Sequence, residues 1–219
     1  LLMSVIDPDI FKFLKDLSKN NNREWFNARK ERYKFLHVSL SEFSQSLNDR
    51  IGKFDNIDNS KIFRIYRDVR FSKDKSPYKT HWGGGLKRAT KYLRGGYYFH
   101  IQPDGKSFVG GGFWAPNKED LFRIREELAS DAEEFRAIVN SKEIQTTFGP
   151  LSGEQLKTAP KGFDKDHPDI DLMRFKQFVF IKPFSDKEVL SDQFDTVVSE
   201  TFKKLRPFFD LMSDVLTTD

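Results

Sequence analysis

The spacing of hydrophobic positions divides the chain into segments of different period. From Pro8, residues Ile10, Phe11, Phe13, Leu14 and Leu17 recur at helical spacing, and Pro8 after Asp7 is a helix-start signature, so a helix is predicted over 8–19. After the Asn20–Asn22 break, Phe26, Arg29, Tyr33, Leu36, Leu40, Phe43, Leu47 and Ile51 mark one face at steps of three and four. A second helix is predicted from about Arg23 to Phe54, ended by Gly52 and the Asp/Asn-rich stretch 55–59. The period then shortens. Phe63, Ile65, Val69 and Phe71 alternate with Arg64, Tyr66, Asp68 and Arg70, which predicts a strand over 61–72 with one apolar and one charged face. Arg67 falls on the apolar side and is expected to be buried against an acceptor, because an unpaired buried charge is prohibitive. Asp169, Asp171 or a ligand could serve.

Residues 73–96, with Pro77 and the glycine runs 83–85 and 95–96, read as a long connection that is open until a ligand orders it. Next comes a hairpin, 97–102 and 106–114, joined by Pro103-Asp104-Gly105, with Gly110–Gly112 suggesting a bulge or a close approach. Asn117 reads as the N-cap of a helix running to about Val139, followed by a short one near 141–147 and a loop over 148–168. A buried strand is expected at Gln177–Ile181. A last helix is expected from Ser185 to about Leu216, split or kinked at Pro207. Helices, strands, helices, strand and helix in that order argue an α+β class. The expectation is a single domain over 1–219, with a largely antiparallel or mixed sheet packed by helices from both ends of the chain. Leu1 and Leu2 precede Met3 and read as an expression remnant or an upstream extension.

Composition adds three constraints. The 23 Phe residues supply the core that an otherwise polar chain lacks. The absence of cysteine removes disulfides, thiolate nucleophiles and Cys-ligated zinc, and suits a reducing compartment. No apolar run approaches the roughly 20 residues of a membrane helix, and no signal-peptide pattern opens the chain, so a cytoplasmic protein without a membrane partner is expected. Charge is distributed unevenly. Segment 61–94 holds eleven Lys/Arg against Asp68 and Asp74, a local +9 that leaves the remainder at −5 against a total of +4. Such asymmetry points to an anionic partner.

The run R-I-Y-R-D-V-R-F-S-K-D-K-S-P-Y-K-T-H at 64–81, with Y-Y-F-H-I-Q-P-D-G at 97–105 and G-G-G-F-W-A-P at 110–116, resembles the conserved hypothetical proteins catalogued as domain of unknown function 2461. The similarity extends over nearly the whole chain. The resemblance implies one full-length intracellular domain and carries over no activity, cofactor or catalytic residue.

The candidate chemistry follows from the residues. Arginine forks suit carboxylate or phosphate, lysines add point charge, and neighbouring rings can stack a base or sugar. The expected ligand surface comprises Arg64, Tyr66, Arg67, Asp68 and Arg70, with Lys73, Lys75, Tyr78, Lys79 and His81 following, and Trp82, His100 and Trp114 beside them. Asp68 pairing with Arg64 or Arg70 on a solvated face is the plain structural alternative. The glycine runs lack G-x-G-x-x-G spacing, and none is directly followed by G-K-[ST]. No H-E-x-x-H or G-x-S-x-G occurs, and no metal ligand set is expected. His81 and His100 are predicted to meet if the long connection folds back onto the hairpin, as a general base or part of a site. The favoured function is a pocket for a small phosphorylated or carboxylated ligand, as a binder or an enzyme. A nucleic-acid-binding module using 61–94 and a protein-interaction domain with a basic face are the alternatives. Cofactor and oligomeric state stay open.

Overall fold

A computed structural model describes residues 6–218; Leu1 and Leu2 lie outside the described residues. The N-terminal helices are α1 (Pro8–Lys19), α2 (Arg23–Asn27) and α3 (Lys30–Ile51). The start of α1 is set as the sequence predicts: the Asp7 carboxylate accepts from the Asp9 amide at 2.8 Å, and Pro8 occupies the first turn. The helix expected over 23–54 is instead two. The chain breaks at Ala28–Arg29, where Arg29 leaves helical geometry and its guanidinium stacks over Trp25. Neither proline nor glycine marks this break.

The sheet comprises β1 (Ile57–Ile62), β2 (Trp82–Arg88), β3 (Gly96–Ile101), β4 (Ser107–Phe113) and β5 (Phe178–Phe184), antiparallel in the order β1-β2-β3-β4-β5. Between β4 and β5 lie α4 (Lys118–Ser130), α5 (Glu133–Val139), α6 (Lys142–Phe148) and α7 (Ile170–Met173). After β5 come α8 (Asp186–Val189), α9 (Phe194–Lys203) and α10 (Arg206–Thr217). The protein is therefore α+β. The β3–β4 hairpin turns as expected, with Asp104 and Gly105 at φ 65° and 68°, the two left-handed residues a tight hairpin requires. Asn117 caps α4 by accepting from the Asp120 amide, but Asp131 ends that helix before α5 begins. Pro207 opens α10.

Two expectations are corrected. The strand predicted over 61–72 ends at Ile62, and only the Phe63 amide, donating to Gly83 at 2.8 Å, extends its pairing. Residues 65–79 pair with themselves instead. The Lys79 amide donates to Ile65 at 2.7 Å, Arg67 to Pro77 at 2.9 Å, and Tyr66 bridges Tyr78, making a short ribbon. The predicted alternation survives at Ile65, which is buried, and fails at Phe71, which projects into solvent. Second, 73–96 is not one open connection, because β2 lies inside it and Gly83–Gly85 are strand residues. The Phe99 ring covers Gly84 so closely that a Cβ there would fall 2.3 Å from its Cζ.

The described residues form two compact units: 6–86, 98–109 and 183–200 in the first, and 87–97, 110–182 and 201–218 in the second. The division falls within β2, β3, β4, β5 and α9. In the first unit Trp82 stacks on Phe13 of α1 and Tyr33 of α3, and Phe99 meets Phe43 edge-on. In the second, Tyr97 packs on Phe202 and Phe209, Phe113 on Phe208, and Phe178 on Phe135. The phenylalanine excess is core, as composition suggests. No helix among the described residues is long and apolar enough to cross a membrane.

Candidate functional site

The cationic segment does not present its charge as one row. Arg67 is half-buried where burial was expected, and its guanidinium is held within the ribbon, by Asp74 and by the Ser76 carbonyl at 3.1 Å. Ser76 first, and then Arg67, hold the Asp74 carboxyl down at about 2. The expected partners Asp169 and Asp171 both bind Arg136, at 2.6 Å each. Arg70 grips Asp68 through Nε and Nη2 on the exposed surface, and Lys75 donates to the Val69 carbonyl at 3.0 Å. Arg88 is fully buried in the second unit and reaches Asp210, while Arg94 pairs with Asp120. Four of the eleven cations of 61–94 are thus in ion pairs, which reduces the local field the composition implies.

Arg64 is different. It forms no hydrogen bond or ion pair among the described residues. It lies in a shallow depression of the first unit with Tyr66 and, from α3, Tyr33, Lys34, His37 and Val38. On α3, Tyr33 and His37 are one turn apart, as are Lys34 and Val38, so the four share an edge of the helix. The wall is stiffened from behind. Tyr66 packs against Phe26 and Tyr78, Tyr78 stacks on Phe26 at 4.0 Å, and Tyr33 meets His37 edge-on at 5.9 Å. Burial, then Tyr66, push the Tyr33 phenol up from its usual value, so it stays protonated. Lys34 reaches Glu31 at 2.8 Å, an exposed pair that an incoming anion can break at little cost. The site offers one free guanidinium beside three rings.

The sequence therefore named Arg64 and Tyr66 and missed Tyr33, Lys34, His37 and Val38. Of the other expected residues, Tyr78 is a buried backing ring and Lys73 is exposed. Trp82 is fully buried in the core and cannot wall a pocket. Trp114 follows β4 in the second unit and does not line the depression.

A second cluster forms on the opposite face of the first unit's strands. His81 and His100 do meet: their rings stack at 4.2 Å, and Phe108 stacks on the other side of His100 at 4.5 Å. Gln102 Oε1 accepts from His100 Nε2 at 2.8 Å, which leaves Nδ1 to accept from the Tyr98 hydroxyl at 3.2 Å. Gly83 makes room for that hydroxyl, since a Cβ there would stand 2.6 Å from it. Burial first, then His100 and Lys79, push the His81 imidazole down from 6.5 to about 4, and burial also lowers His100. These neutral rings are unsuited to neutralising an anion, and no group of three or more metal-ligating side chains occurs among the described residues.

The pair makes the fold acid-sensitive. Between pH 6.5 and 4 the unfolded chain binds a proton that folded His81 refuses, so stability is lost as pH falls through that window. Discounted for partial exposure, the loss is about 2 kcal/mol. Urea titrations at pH 7 and pH 4.5 should show it, and His81→Phe, which keeps the ring stack, should lose less over the same interval.

Fold and site together define an α+β protein with one antiparallel sheet and a cationic, aromatic-walled depression beside α3. The family model described as Conserved hypothetical protein (DUF2461) matches residues 9–211, and the chain belongs to that family. No curated protein and no solved structure matches it.

Proposed function

We propose that this protein binds a small anionic ligand carrying a planar ring, with Arg64 holding its phosphate or carboxylate and Tyr33, Tyr66 and His37 flanking the ring. One observation carries the reading: Arg64 has no protein partner, whereas Arg67 and Arg70 are each satisfied within a few residues. An unpaired guanidinium beside rings is ready to donate to an anion and to stack on a planar ligand. The ion-paired cations favour a compact ligand over a long polyanion, which would need a continuous track of free charge. The lack of cysteine and of any membrane-crossing helix among the described residues suits a cytoplasmic setting, where we place it.

Charge-assisted hydrogen bonds contribute about 1.5–3 kcal/mol each, so Arg64→Ala should weaken binding roughly tenfold or more. Arg70→Ala, which removes an exposed pair, should do little. Calorimetric titration with nucleoside monophosphates, sugar phosphates, aromatic carboxylates and short oligonucleotides at two salt concentrations tests this. Equal losses in both variants, or no binding to any of the panel, would reject it.

A further inference from the structure

The ribbon that bears Arg67 and Arg70 ends in a feature that ligand binding does not use. Phe71 is 97% exposed, the most exposed large hydrophobic residue among those described. It is not on a slack loop. Arg67 to Asp74 and Ser76, Lys75 to Val69, Arg70 to Asp68, and the Ser76 amide to Asp74 at 2.9 Å brace the turn from within. A braced tip loses little freedom when it docks, so its apolar side chain is presented ready for use. Around it stand the exposed cations Arg70 and Lys73.

The second unit carries a surface of complementary character. Between α4, α5 and α10 runs a groove whose floor includes the half-buried Ile138, Leu211 and Val215. Its rim includes Glu127, Glu134 and Asp214. The side chains of these three acids form no ion pair or hydrogen bond among the described residues. The chain thus holds an apolar anchor beside Lys73 and the Asp68-paired Arg70, and an apolar groove rimmed by three acids.

We infer that the Phe71 tip of one molecule docks in the α4–α5–α10 groove of a second copy of this chain. The two surfaces differ, so the contact is heterologous: each molecule offers one tip and one groove, and assembly proceeds head to tail into a ring or an open chain. A single anchor makes a small interface, so the association is transient and weakens with salt.

Sedimentation velocity on the full chain at low salt, over tens to hundreds of micromolar, tests this. Wild type should associate with rising concentration. Phe71→Asp should be monomeric, as should the double variant Glu127→Lys/Glu134→Lys. An unchanged thermal transition would show that these surface changes leave the fold intact. Mixed together, the two variants should form a one-to-one dimer and stop there, since only one sound groove and one sound tip remain. Arg64→Ala should assemble like wild type, which keeps this inference separate from the ligand reading. A monomeric wild type, a Phe71→Asp protein that still associates, or a mixture that forms no dimer would each overturn it. So would a monomeric wild type that sediments with vesicles of phosphatidylserine and phosphatidylcholine through Phe71, which would assign the tip to an anionic lipid surface.

Discussion

Gly112→Ala should lower stability by about 3–5 kcal/mol, with the transition temperature falling by about 10 °C or more. Gly112 sits in β4 at φ 141°, a backbone conformation that side chains rarely adopt. A Cβ there would lie 2.1 Å from the Phe178 carbonyl oxygen and 2.8 Å from Val179 Cα. Both obstacles are backbone atoms of β5, so no side-chain rotation can relieve the clash. Either the strands part and lose hydrogen bonds, or β4 shifts and disturbs Phe113 against Phe208. Gly105→Ala is the control. Its φ of 68° is also left-handed, but nothing lies within 4 Å, so only the conformational cost of about 1–2 kcal/mol remains. Thermal and urea unfolding of the two variants should separate steric from torsional cost.

Arg88→Ala should cost about 3–5 kcal/mol, because it removes one partner from a buried, hydrogen-bonded charge network. Its guanidinium donates to the Arg94 carbonyl at 3.0 Å, the Phe209 carbonyl at 3.3 Å, Ser213 Oγ at 3.1 Å and Asp210 at 3.1 Å, and it lies over the Phe209 ring. The side chain is 0% exposed, so its removal leaves both a cavity and a carbonyl without a donor. Arg88→Lys should recover little, since an ammonium cannot span the same acceptors. Lys87→Ala, one residue away and exposed, should stay within about 0.5 kcal/mol. Equal effects at 87 and 88 in urea unfolding would refute the network's role.

Arg88 also explains why the basic segment misled. In the sequence it is one more cation in a cationic run; in the fold its partner Asp210 is far along the chain, and nothing in the spacing announces it. Local signals were legible. The Asp7-Pro8 start, the Asn117 cap and the left-handed Asp104-Gly105 turn are set by neighbours within a few residues, and each stands where the sequence places it. Pairing decisions were not. Residues 61–72 alternate like a sheet strand, yet 65–67 bond to 77–79 across a turn. Gly83–Gly85 look like a loop because the rings that fill the space above them, Tyr98 and Phe99, belong to another strand. The strand expected at Gln177–Ile181 runs on through Pro183 to Phe184, because β5 is an edge strand of the sheet's order and accommodates a proline. Most of the depression was hidden for a similar reason. Tyr33 belongs to the buried face of α3, as its spacing predicts, and Lys34 and His37 lie outside that apolar stripe. The pairing of Tyr33 with His37 one turn on, next to a lysine, was the signal available.

The most direct test of the ligand site is to follow side-chain resonances while a ring-bearing phosphate, such as a nucleoside monophosphate, is added to the wild-type protein. The account predicts that Arg64 Nε–H and the Tyr33, Tyr66 and His37 rings shift together and saturably, while the His81–His100 pair stays still. Shifts centred on His81 and His100 with Arg64 unmoved would contradict it.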